Sequence, residues 1–439
     1  MPADASLSGS SSGSTSTVGP VPRHLLPHTA AIDESGRLSV GGVDLCELAA
    51  EHGTPLFVYD ELHLRERCRE AVAAFGDGAS YASKAFLCKG MAALVAEEGM
   101  GIDVATGGEL HVALAGGTDP ARIVLHGNNK STAELAAALE SGVGRIVVDS
   151  HDELDRIEAL VEGGARVPEV LLRVTPGVEA HTHVYVQTGL DDSKFGFTLS
   201  TGAAAAAVAR AQASPAMQLM GVHAHIGSNV FALSSFALAV EVLAGFVVPL
   251  DLPELSLGGG LGVAYVAGEE TPSIAEWAGV LHRACAAAGI KARIAVEPGR
   301  SIVAGAAVTL YTVGTVKSVA GVRTFVAVDG GMSDNPRPVL YGSGYETFLP
   351  RVVSAERPFT VDVVGKHCES GDLIVRDAAL PADVSVGDVL ATPVTGAYGH
   401  SMASNYNKVT RPAVVFVADG EARLVVRRET VDDLLRLDL

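Results

Sequence analysis

Residues 122–150, RIVLHGNNKSTAELAAALESGVGRIVVDS, show the pattern that decides the fold of this 439-residue chain. A short apolar run is followed by a longer run rich in Ala, Leu and Glu, and then by a second short apolar run. Ser131 precedes Glu134 by three residues, which is the spacing of a capping box at the start of a helix. The stretch therefore predicts a strand, a helix and a second strand, which is one repeat of a parallel βα arrangement.

The same alternation recurs along the chain and predicts eight strands. They are SYASKA (80–85), GIDVAT (101–106), RIVLHG (122–127), RIVVDS (145–150), EVLLRV (169–174), LMGVHAHIG (219–227), ELSLGG (254–259) and RIAVEPG (293–299). Eight strands, each followed by a helix or loop, are the count of a closed (β/α)8 TIM barrel, whose catalytic groups lie at the carboxyl ends of the strands. An open doubly wound sheet can also hold eight strands, so a second criterion is needed.

The position of the polar residues supplies that criterion. Polar or glycine residues stand at or just after the end of the apolar runs, and they are Lys84, Asp103, His126, Arg173, His225, Gly258 to Gly260 and Glu297. A chain without a site would scatter its polar residues over both ends of the strands. The pattern favours the barrel and predicts a site on one rim.

The length of the chain is typical of two domains. After Ile302 the sequence changes to alternating segments with Gly and Pro turns, which predict a carboxyl-terminal β domain, a sandwich or barrel-like fold. RLSVGG (37–42) and PLFVYD (55–60) also predict strands, and we expect them to join that sheet. The predicted division is a disordered Ser/Gly-rich tail (1–24), amino-terminal strands (25–60), the barrel (61–302) and the β domain (303–439).

Composition excludes several classes of partner. Acidic residues outnumber basic ones 51 to 32, and the net charge of -19 would repel nucleic acid and anionic membranes. Five cysteines without a CxxC pair favour a reducing compartment, and we expect a cytoplasmic protein. Apolar runs are expected to fall short of the roughly 20 residues of a membrane helix, and the start of the chain lacks the order of a signal peptide.

Three rim features point to a phosphate-bearing aldehyde cofactor when they are taken together. A lysine such as Lys84, in apolar surroundings, is a good amine nucleophile for a carbonyl, although an ion pair with Asp103 or Glu297 is the alternative. GGGLG (258–262) does not fit the dinucleotide motif, but its bare backbone N–H groups suit a phosphate; a tight turn is the alternative. EPGR (297–300) offers a carboxylate that can keep a pyridine nitrogen protonated, unless Glu297 and Arg300 pair with each other.

A metal-dependent hydrolase is the rival hypothesis from a different class of enzyme. HAHIGSN places His223 and His225 on one face of a strand, and HTH adds His181 and His183. Paired histidines at a barrel strand end can hold zinc. This reading leaves Lys84, the glycine run and EPGR unexplained.

A longer set of motifs resembles one enzyme family. These motifs are YASKAFLC, DVATGGEL, HGNNKS, DDSKFGF, HAHIGS, GGGLG, EPGR, DGGMSDNPRPVLY, GKHCESGD and GAYGHSMASNYN. In this order, from about residue 25 to the end of the chain, they resemble the diaminopimelate decarboxylases, which are pyridoxal-phosphate enzymes of lysine biosynthesis. The resemblance is to the actinobacterial members of that family. The resemblance implies decarboxylation of meso-2,6-diaminopimelate to L-lysine by a barrel of the alanine-racemase type and a β domain.

The resemblance also implies roles for individual residues. For pyridoxal phosphate it implies Lys84 as the Schiff-base lysine, His225 stacked on the ring, Glu297 at the pyridine nitrogen, and a phosphate site of Ser228, Gly258, Gly259, Gly260, Pro298, Gly299, Arg300 and Tyr398. For the substrate it implies Arg300, Arg337, Tyr341, Glu369 and Tyr398, with Cys368 as the proton donor. A thiol is mostly protonated at neutral pH and can supply that proton.

The resemblance finally implies a homodimer in which the loop VGKHCESGD (364–372) of one subunit completes the site of the other. The distal amino-acid head of the substrate suits Arg300, Arg337 and Glu369, because guanidinium groups bind carboxylates and a carboxylate binds an ammonium. A decarboxylase of ornithine, lysine or a carboxyspermidine is the nearer alternative. Those substrates lack the distal carboxylate and would leave buried charges unpaired.

Overall fold

The amino-terminal part of the chain forms a small sheet of its own and adds one strand to the carboxyl-terminal sheet in the computed structural model, which describes residues 19–177 and 192–439. Its elements are β1 (Ala31–Ile32), β2 (Leu38–Val40), β3 (Val43–Asp44), α1 (Leu45–His52), β4 (Leu56–Asp60) and α2 (Glu61–Phe75). Strand β4 enters the carboxyl-terminal sheet. The expectation for RLSVGG is wrong, since β2 pairs with β1 and β3 in a separate three-stranded sheet.

Residues 19–24, which were predicted to belong to a disordered tail, are ordered. Residues 1–18 lie outside the described ranges, but Val21 is buried and Arg23–Leu25 forms a 3-10 helix. The Arg23 guanidinium donates to the carbonyl oxygens of Leu26, Pro27 and His28 at 3.2, 2.8 and 2.7 Å. Residues 19–24 are therefore part of the folded protein, because their polar groups are bonded and an apolar side chain is covered.

The barrel contains all eight predicted strands. In chain order the elements are β5 (Ser80–Ala82), α3 (Lys89–Glu97), β6 (Gly101–Val104), α4 (Gly107–Ala115), β7 (Ile123–Leu125), α5 (Thr132–Ser141), β8 (Arg145–Val148), α6 (His151–Glu162), β9 (Glu169–Thr175), β10 (Phe197–Thr198), α7 (Ala203–Ala213), β11 (Gln218–His223), α8 (Leu233–Val247), β12 (Glu254–Ser256), α9 (Ile274–Ala287) and β13 (Arg293–Ala295). The short strand β10 is an addition that pairs with β9.

Parallel pairing runs from β5 through β9 to β11, β12 and β13, and the ring then closes on itself. A parallel bridge joins Ala79 to Val296, and the Val296 amide donates to the Gly78 carbonyl at 2.8 Å. The open-sheet alternative is therefore wrong. The predicted start of the helix after β7 is also confirmed, because α5 begins with the capping box of Ser131 and Glu134.

Helix α8 corrects the expectation about apolar runs. The 18-residue window Leu233–Leu250 has a mean hydropathy of 2.0, which is long and apolar enough to cross a membrane by length and composition. Here the helix packs on α9 and buries Phe236, Val240 and Leu243. The buried share of the window is 33%, which fits a helix that covers a barrel with one apolar face.

The carboxyl-terminal part begins with α10 (Arg300–Val303) and continues as a mostly β domain. Its elements are β14 (Ala307–Val319), β15 (Arg323–Val328), α11 (Arg337–Tyr341), β16 (Phe359–Val364), β17 (Leu373–Leu380), β18 (Val389–Pro393), β19 (Ala413–Ala418) and β20 (Glu421–Val426). The sheet order is β17-β16-β15-β14-β4-β19-β20, and β18 pairs with β14. The ladder of β17 with β16 contains an irregular register, and Asp377 of β17 has a φ of 48°.

The β domain packs against the barrel at the loop that follows β5. Tyr59 of β4 stacks on Phe86 with ring centroids 4.5 Å apart. The Ala85 carbonyl accepts hydrogen bonds from the Tyr398 amide at 2.9 Å and from the Ser401 hydroxyl at 2.7 Å. The carboxyl-terminal domain therefore fixes the turn that carries Lys84.

Candidate active site

A cavity of about 830 Å³ opens at the carboxyl ends of the barrel strands. The rim residues predicted from sequence that line it are Lys84, Asp103, His126, Arg173, His225, Gly259, Gly260 and Glu297. Residues of the β domain, Arg337, Tyr341 and Tyr398, form its other wall. The predicted rim residues thus lie together, because residues from seven different strand ends line one cavity.

Lys84 lies in a 3-10 turn, Ser83–Ala85, directly after β5. Its side chain is exposed to the cavity, so the apolar surroundings expected from the sequence are not found. Among the residues that the structure describes, neither Asp103 nor Glu297 forms a salt bridge with it. The ion-pair alternative is therefore not realised, and a primary amine is presented to the cavity.

The Glu297 carboxylate lies at the base of the cavity, and it is contacted by three side chains. Its Oε2 is 3.0 Å from His223 Nε2, and its Oε1 accepts from the Ser256 hydroxyl at 2.9 Å. His126 Nε2 lies 3.3 Å from the same Oε1 and 3.7 Å from Asp103 Oδ1. Glu297 therefore pairs with histidines and not with Arg300.

The charges around Glu297 are set by burial and by these neighbours. Burial raises the pKa of Glu297, but His126 and His223 outweigh it and hold that pKa well below its usual range. Burial lowers the pKa of His126, yet Asp103 and Glu297 together raise it. Burial also lowers the pKa of His223 to about 4 and raises that of Asp103 to about 6. The arrangement favours an ionised Glu297 beside a protonated His126 and a neutral His223.

The glycine run at 258–260 packs against backbone that leaves no room for side chains. Gly258 has a φ of +65°, and a Cβ there would lie 2.7 Å from His225 Nδ1; at Gly260 it would lie 2.2 Å from the Gly227 carbonyl oxygen. The Gly259 amide donates to His225 Nδ1 at 3.2 Å. Burial, Lys84 and Arg173 lower the pKa of His225, which agrees with a neutral ring that accepts at Nδ1.

Two buried arginines on the opposite wall contact two tyrosines that sequence reasoning did not identify, of which Tyr265 lines the cavity and Tyr345 lies behind it. Arg300 donates to the Tyr265 hydroxyl at 2.7 Å and to the Ser228 hydroxyl at 2.8 Å. Arg337 donates to the Tyr345 hydroxyl at 2.7 Å, and its guanidinium carbon lies 4.2 Å from the centre of the Tyr265 ring. The two tyrosines are identified only from the fold, since Tyr265 lies 35 residues from Arg300 and Tyr345 lies 8 residues from Arg337 in the chain. Within the described part of the chain, these three hydrogen bonds leave other guanidinium N–H groups of both cations for an anion.

The remaining cofactor and substrate residues from the sequence prediction divide into two groups. Ser228, Gly299, Tyr341 and Tyr398 line the cavity. Gly258 and Pro298 lie behind it as buried backbone, where the Pro298 carbonyl accepts from the Ala82 amide at 3.3 Å. Tyr398 has a φ of 60° and places its ring 4.8 Å from the Arg300 guanidinium carbon. A non-glycine residue in this backbone region is strained, which is common at functional sites.

Cys368 and Glu369 are not brought to the cavity of their own chain. Both are exposed and neither lines the cavity, where the sequence prediction places a proton donor and an ammonium ligand. The Cys368 amide donates to Asn407 Oδ1 at 3.1 Å, and Glu369 Oε1 accepts from the Tyr406 hydroxyl at 2.5 Å. Asp372 anchors the loop by accepting from the His367 amide at 2.8 Å. The loop is thus ordered on the surface of the β domain.

The four histidines of the metal hypothesis are not found as one set. His181 and His183 lie outside the described residues. His223 contacts Glu297, whereas His225 accepts from the Gly259 amide. The group that does have ligand spacing consists of His126, His223 and Glu297, whose donor atoms lie within 4.8 Å of one another.

Comparisons with known proteins point to one family. The family model for the pyridoxal binding domain of pyridoxal-dependent decarboxylases matches residues 61–304. A diaminopimelate decarboxylase of Mycobacterium tuberculosis is 48% identical over 434 residues, which cover 94% of this chain and 97% of that protein. The corresponding protein of Bacillus subtilis is 46% identical over 431 residues, with coverage of 94% and 97%.

A solved structure extends the similarity to the fold of both domains. The diaminopimelate decarboxylase of M. jannaschii, in complex with L-lysine, superposes with a TM-score of 0.87 at 32% identity. The match covers 94% of this chain and 98% of that one. The barrel and the β domain are therefore shared as a unit.

Proposed function

The chain belongs to the pyridoxal-dependent diaminopimelate decarboxylases, and on this premise we propose how its side chains divide the reaction. The protein decarboxylates meso-2,6-diaminopimelate at its D-centre to L-lysine and carbon dioxide, the last step of lysine biosynthesis, with pyridoxal phosphate as cofactor. The observation that carries the assignment of residues is the meeting of Lys84, Glu297, the glycine run and two buried arginines around one cavity.

The residues present fit the cofactor. Lys84 offers an amine in the cavity, and the glycine run lets the backbone border the cavity where a Cβ has no space, although the Gly258 and Gly259 amides already donate to Ser256 and His225. We assign the phosphate to a set of neighbouring groups, namely Ser228, Gly258, Gly259, Gly260, Pro298, Gly299, Arg300 and Tyr398. His225 would stack on the ring and Glu297 would meet the ring nitrogen. When bound, the cofactor supplies an electron sink for the electron pair left by the departing carboxylate.

The distal head of the substrate is assigned to the arginine wall. Arg300 and Arg337 would bind its carboxylate with Tyr341, and Tyr398 lies beside them. Arg337 is only 5% exposed, so an empty guanidinium there is a poorly solvated charge that a carboxylate would compensate. This charge favours diaminopimelate over ornithine, lysine or a carboxyspermidine, which have no distal carboxylate.

The proton donor and the ammonium ligand are assigned to a second subunit. Cys368 and Glu369 lie on a surface loop outside their own cavity, yet the reaction needs an acid near the reacting carbon. In a two-fold homodimer each chain can lend this loop to its partner, which completes two sites at once. Cys368 then donates its thiol proton, and Glu369 binds the distal ammonium.

Two further features belong to the same proposal. We take residues 61–302 as the cofactor-binding barrel, residues 303–439 as the β domain and residues 25–60 as the amino-terminal segment. We place the protein in the cytoplasm, because Cys46, Cys68, Cys88, Cys285 and Cys368 are all free thiols, as expected in a reducing compartment.

The test of the function is direct. The purified protein should show the absorbance of bound pyridoxal phosphate, should be labelled by borohydride at Lys84, and should release carbon dioxide from meso-diaminopimelate. Lys84→Ala is the matched control for labelling. Faster turnover of ornithine or lysine than of diaminopimelate would contradict the substrate assignment, and an unlabelled Lys84 would contradict the assignment of the cofactor.

A further inference from the structure

We propose that His126 and His223 are positioning residues that keep Glu297 ionised, so that the proton shared by Glu297 and the cofactor ring nitrogen resides on the nitrogen. The proposal rests on the proposed function, because it takes Glu297 as the partner of the ring nitrogen. It adds His126, which follows β7, and His223, the last residue of β11, as residues that need not touch the substrate or the cofactor. Their role is to set the protonation state of the group that they contact.

The contacts leave one defined position on the carboxylate. An ionised carboxylate has about four lone-pair sites, two on each oxygen. Ser256 donates to Oε1 at 2.9 Å and His223 Nε2 lies 3.0 Å from Oε2, whereas His126 Nε2 lies 3.3 Å from Oε1 as a charge contact without hydrogen-bond geometry. One site therefore remains on Oε2, and Glu297 lines the cofactor cavity. A ring N–H that binds there would complete the carboxylate without displacing any protein group.

The hydrogen bond from His223 has one favourable direction. His223 is 1% exposed, its Nδ1 has no hydrogen-bond partner among residues 19–177 and 192–439, and its Nε2 faces Glu297 Oε2. A lone pair on Nε2 would face the carboxylate oxygen and repel it, so the proton of the neutral ring belongs on Nε2. His223 therefore donates to Glu297, and a donated hydrogen bond stabilises the ionised form of a carboxyl group.

The charge on His126 acts in the same direction. Its Nε2 lies between Asp103 Oδ1 at 3.7 Å and Glu297 Oε1 at 3.3 Å, and its side chain is 8% exposed. Two carboxylates beside a buried imidazole favour the imidazolium. Asp103 thus supports the positive charge of His126, and His126 supports the negative charge of Glu297.

Without these two histidines the balance of the shared proton would reverse. Glu297 is 9% exposed, and burial alone favours a neutral carboxylic acid. A neutral Glu297 would donate its proton to an unprotonated ring nitrogen, and an unprotonated ring is a weaker electron sink. A contact to a charged group shifts such a balance by about tenfold or more. Both states carry the same single proton, so only its position changes.

The experiment measures that position in the holoenzyme. The enzyme is reconstituted with pyridoxal phosphate labelled with ¹⁵N in the ring, and the nitrogen shift is recorded by solid-state NMR. We expect a protonated nitrogen in the wild type, and a shift towards the unprotonated position in His126→Gln and in His223→Gln. His111→Gln, an exposed histidine of α4, is the matched control and should resemble the wild type.

Kinetics give a second readout that a merely structural role would not reproduce. In His126→Gln and His223→Gln we expect kcat to fall by about tenfold or more, while KM for meso-diaminopimelate stays within about twofold. Cofactor stoichiometry and thermal unfolding show whether a variant is folded. If His126→Gln does not fold, Asp103→Asn removes the support of the imidazolium and should move the nitrogen signal in the same direction.

The outcomes separate this inference from the proposed function. A protonated nitrogen in all variants, with an active wild type, overturns the inference alone. Stoichiometric zinc in the active holoenzyme also overturns it, because His126 and His223 would then be metal ligands. A wild type that binds no cofactor, or releases no carbon dioxide from meso-diaminopimelate, overturns the proposed function itself.

Discussion

Two inactive variants should restore each other if the active site is shared between subunits. Lys84→Ala removes the amine from the barrel cavity, and Cys368→Ala removes the thiol from the surface loop. Each variant alone has two defective sites per dimer. In a mixed dimer, one site combines both defects, and the other combines a native Lys84 with the partner's native thiol.

The size of the recovery follows from where the two residues lie. Lys84 lines the cavity, whereas Cys368 is exposed and lies outside the cavity of its own chain. Equal amounts of the two variants, after complete exchange, give half of the dimers in the mixed form, each with one intact site of two. The expected activity is therefore about a quarter of that of the same amount of wild type.

The assay is carbon dioxide release from meso-diaminopimelate after subunit exchange in mild denaturant and its removal. The control mixes Lys84→Ala with Arg337→Met. Both of these residues line the same cavity of one chain, so no arrangement of the mixed dimer contains an intact site. Recovery in the first mixture, with no activity in the control beyond that of Arg337→Met alone, supports the shared site. Background in both mixtures refutes it, and the loop would then serve its own barrel.

Three other perturbations test separate parts of the structure. Arg337→Met should raise KM for meso-diaminopimelate by roughly 30-fold or more, because it removes a 5%-exposed cation that would bind the distal carboxylate of the substrate. An unchanged KM would show that Arg337 does not bind the substrate. Gly258→Ala should weaken cofactor binding in a pyridoxal phosphate titration, because the added Cβ would lie 2.7 Å from His225 Nδ1 and the backbone φ is +65°. The control is Gly245→Ala, whose added Cβ has no neighbour within 4 Å and which should bind the cofactor normally. Burial raises the pKa of Asp334 from 3.8 to about 7, so its contribution to stability is full below about pH 3.8 and is lost as the pH rises through about 7. Asp334→Asn should lose less stability than the wild type between pH 5 and 7 in urea unfolding, and parallel curves would contradict this.

The sequence predicted the barrel because its signals are local. Each βα repeat contains an apolar run and a capped helix within about 30 residues, and strands buried on both faces give continuous apolar runs. Polar residues that end such runs must meet on one rim, which placed Lys84, Asp103, His126 and Glu297 in one cavity. The motifs also carried the family resemblance, since they remain in order along the chain.

Local sequence patterns could not predict the contacts between distant parts of the chain. Leu38–Val40 pairs with Ala31–Ile32 and Val43–Asp44 and not with the large sheet, and an alternating strand pattern does not specify the partner strand. The contacts of Tyr265 with Arg300 and Arg337 join residues that only the fold brings together. Likewise, only the fold shows that the apolar helix α8 packs against α9.

The amino-acid sequence by itself determined which residues can do the chemistry: an amine, a carboxylate, a glycine run, two guanidinium groups and a thiol. The tertiary structure decided their partners. It placed Glu297 between two histidines, left Lys84 without a salt bridge to Asp103 or Glu297, and kept Cys368 outside its own cavity. The physical reason is that residue type is fixed at each position, whereas charge state, burial and reach depend on atoms supplied by strands and loops far away in the chain.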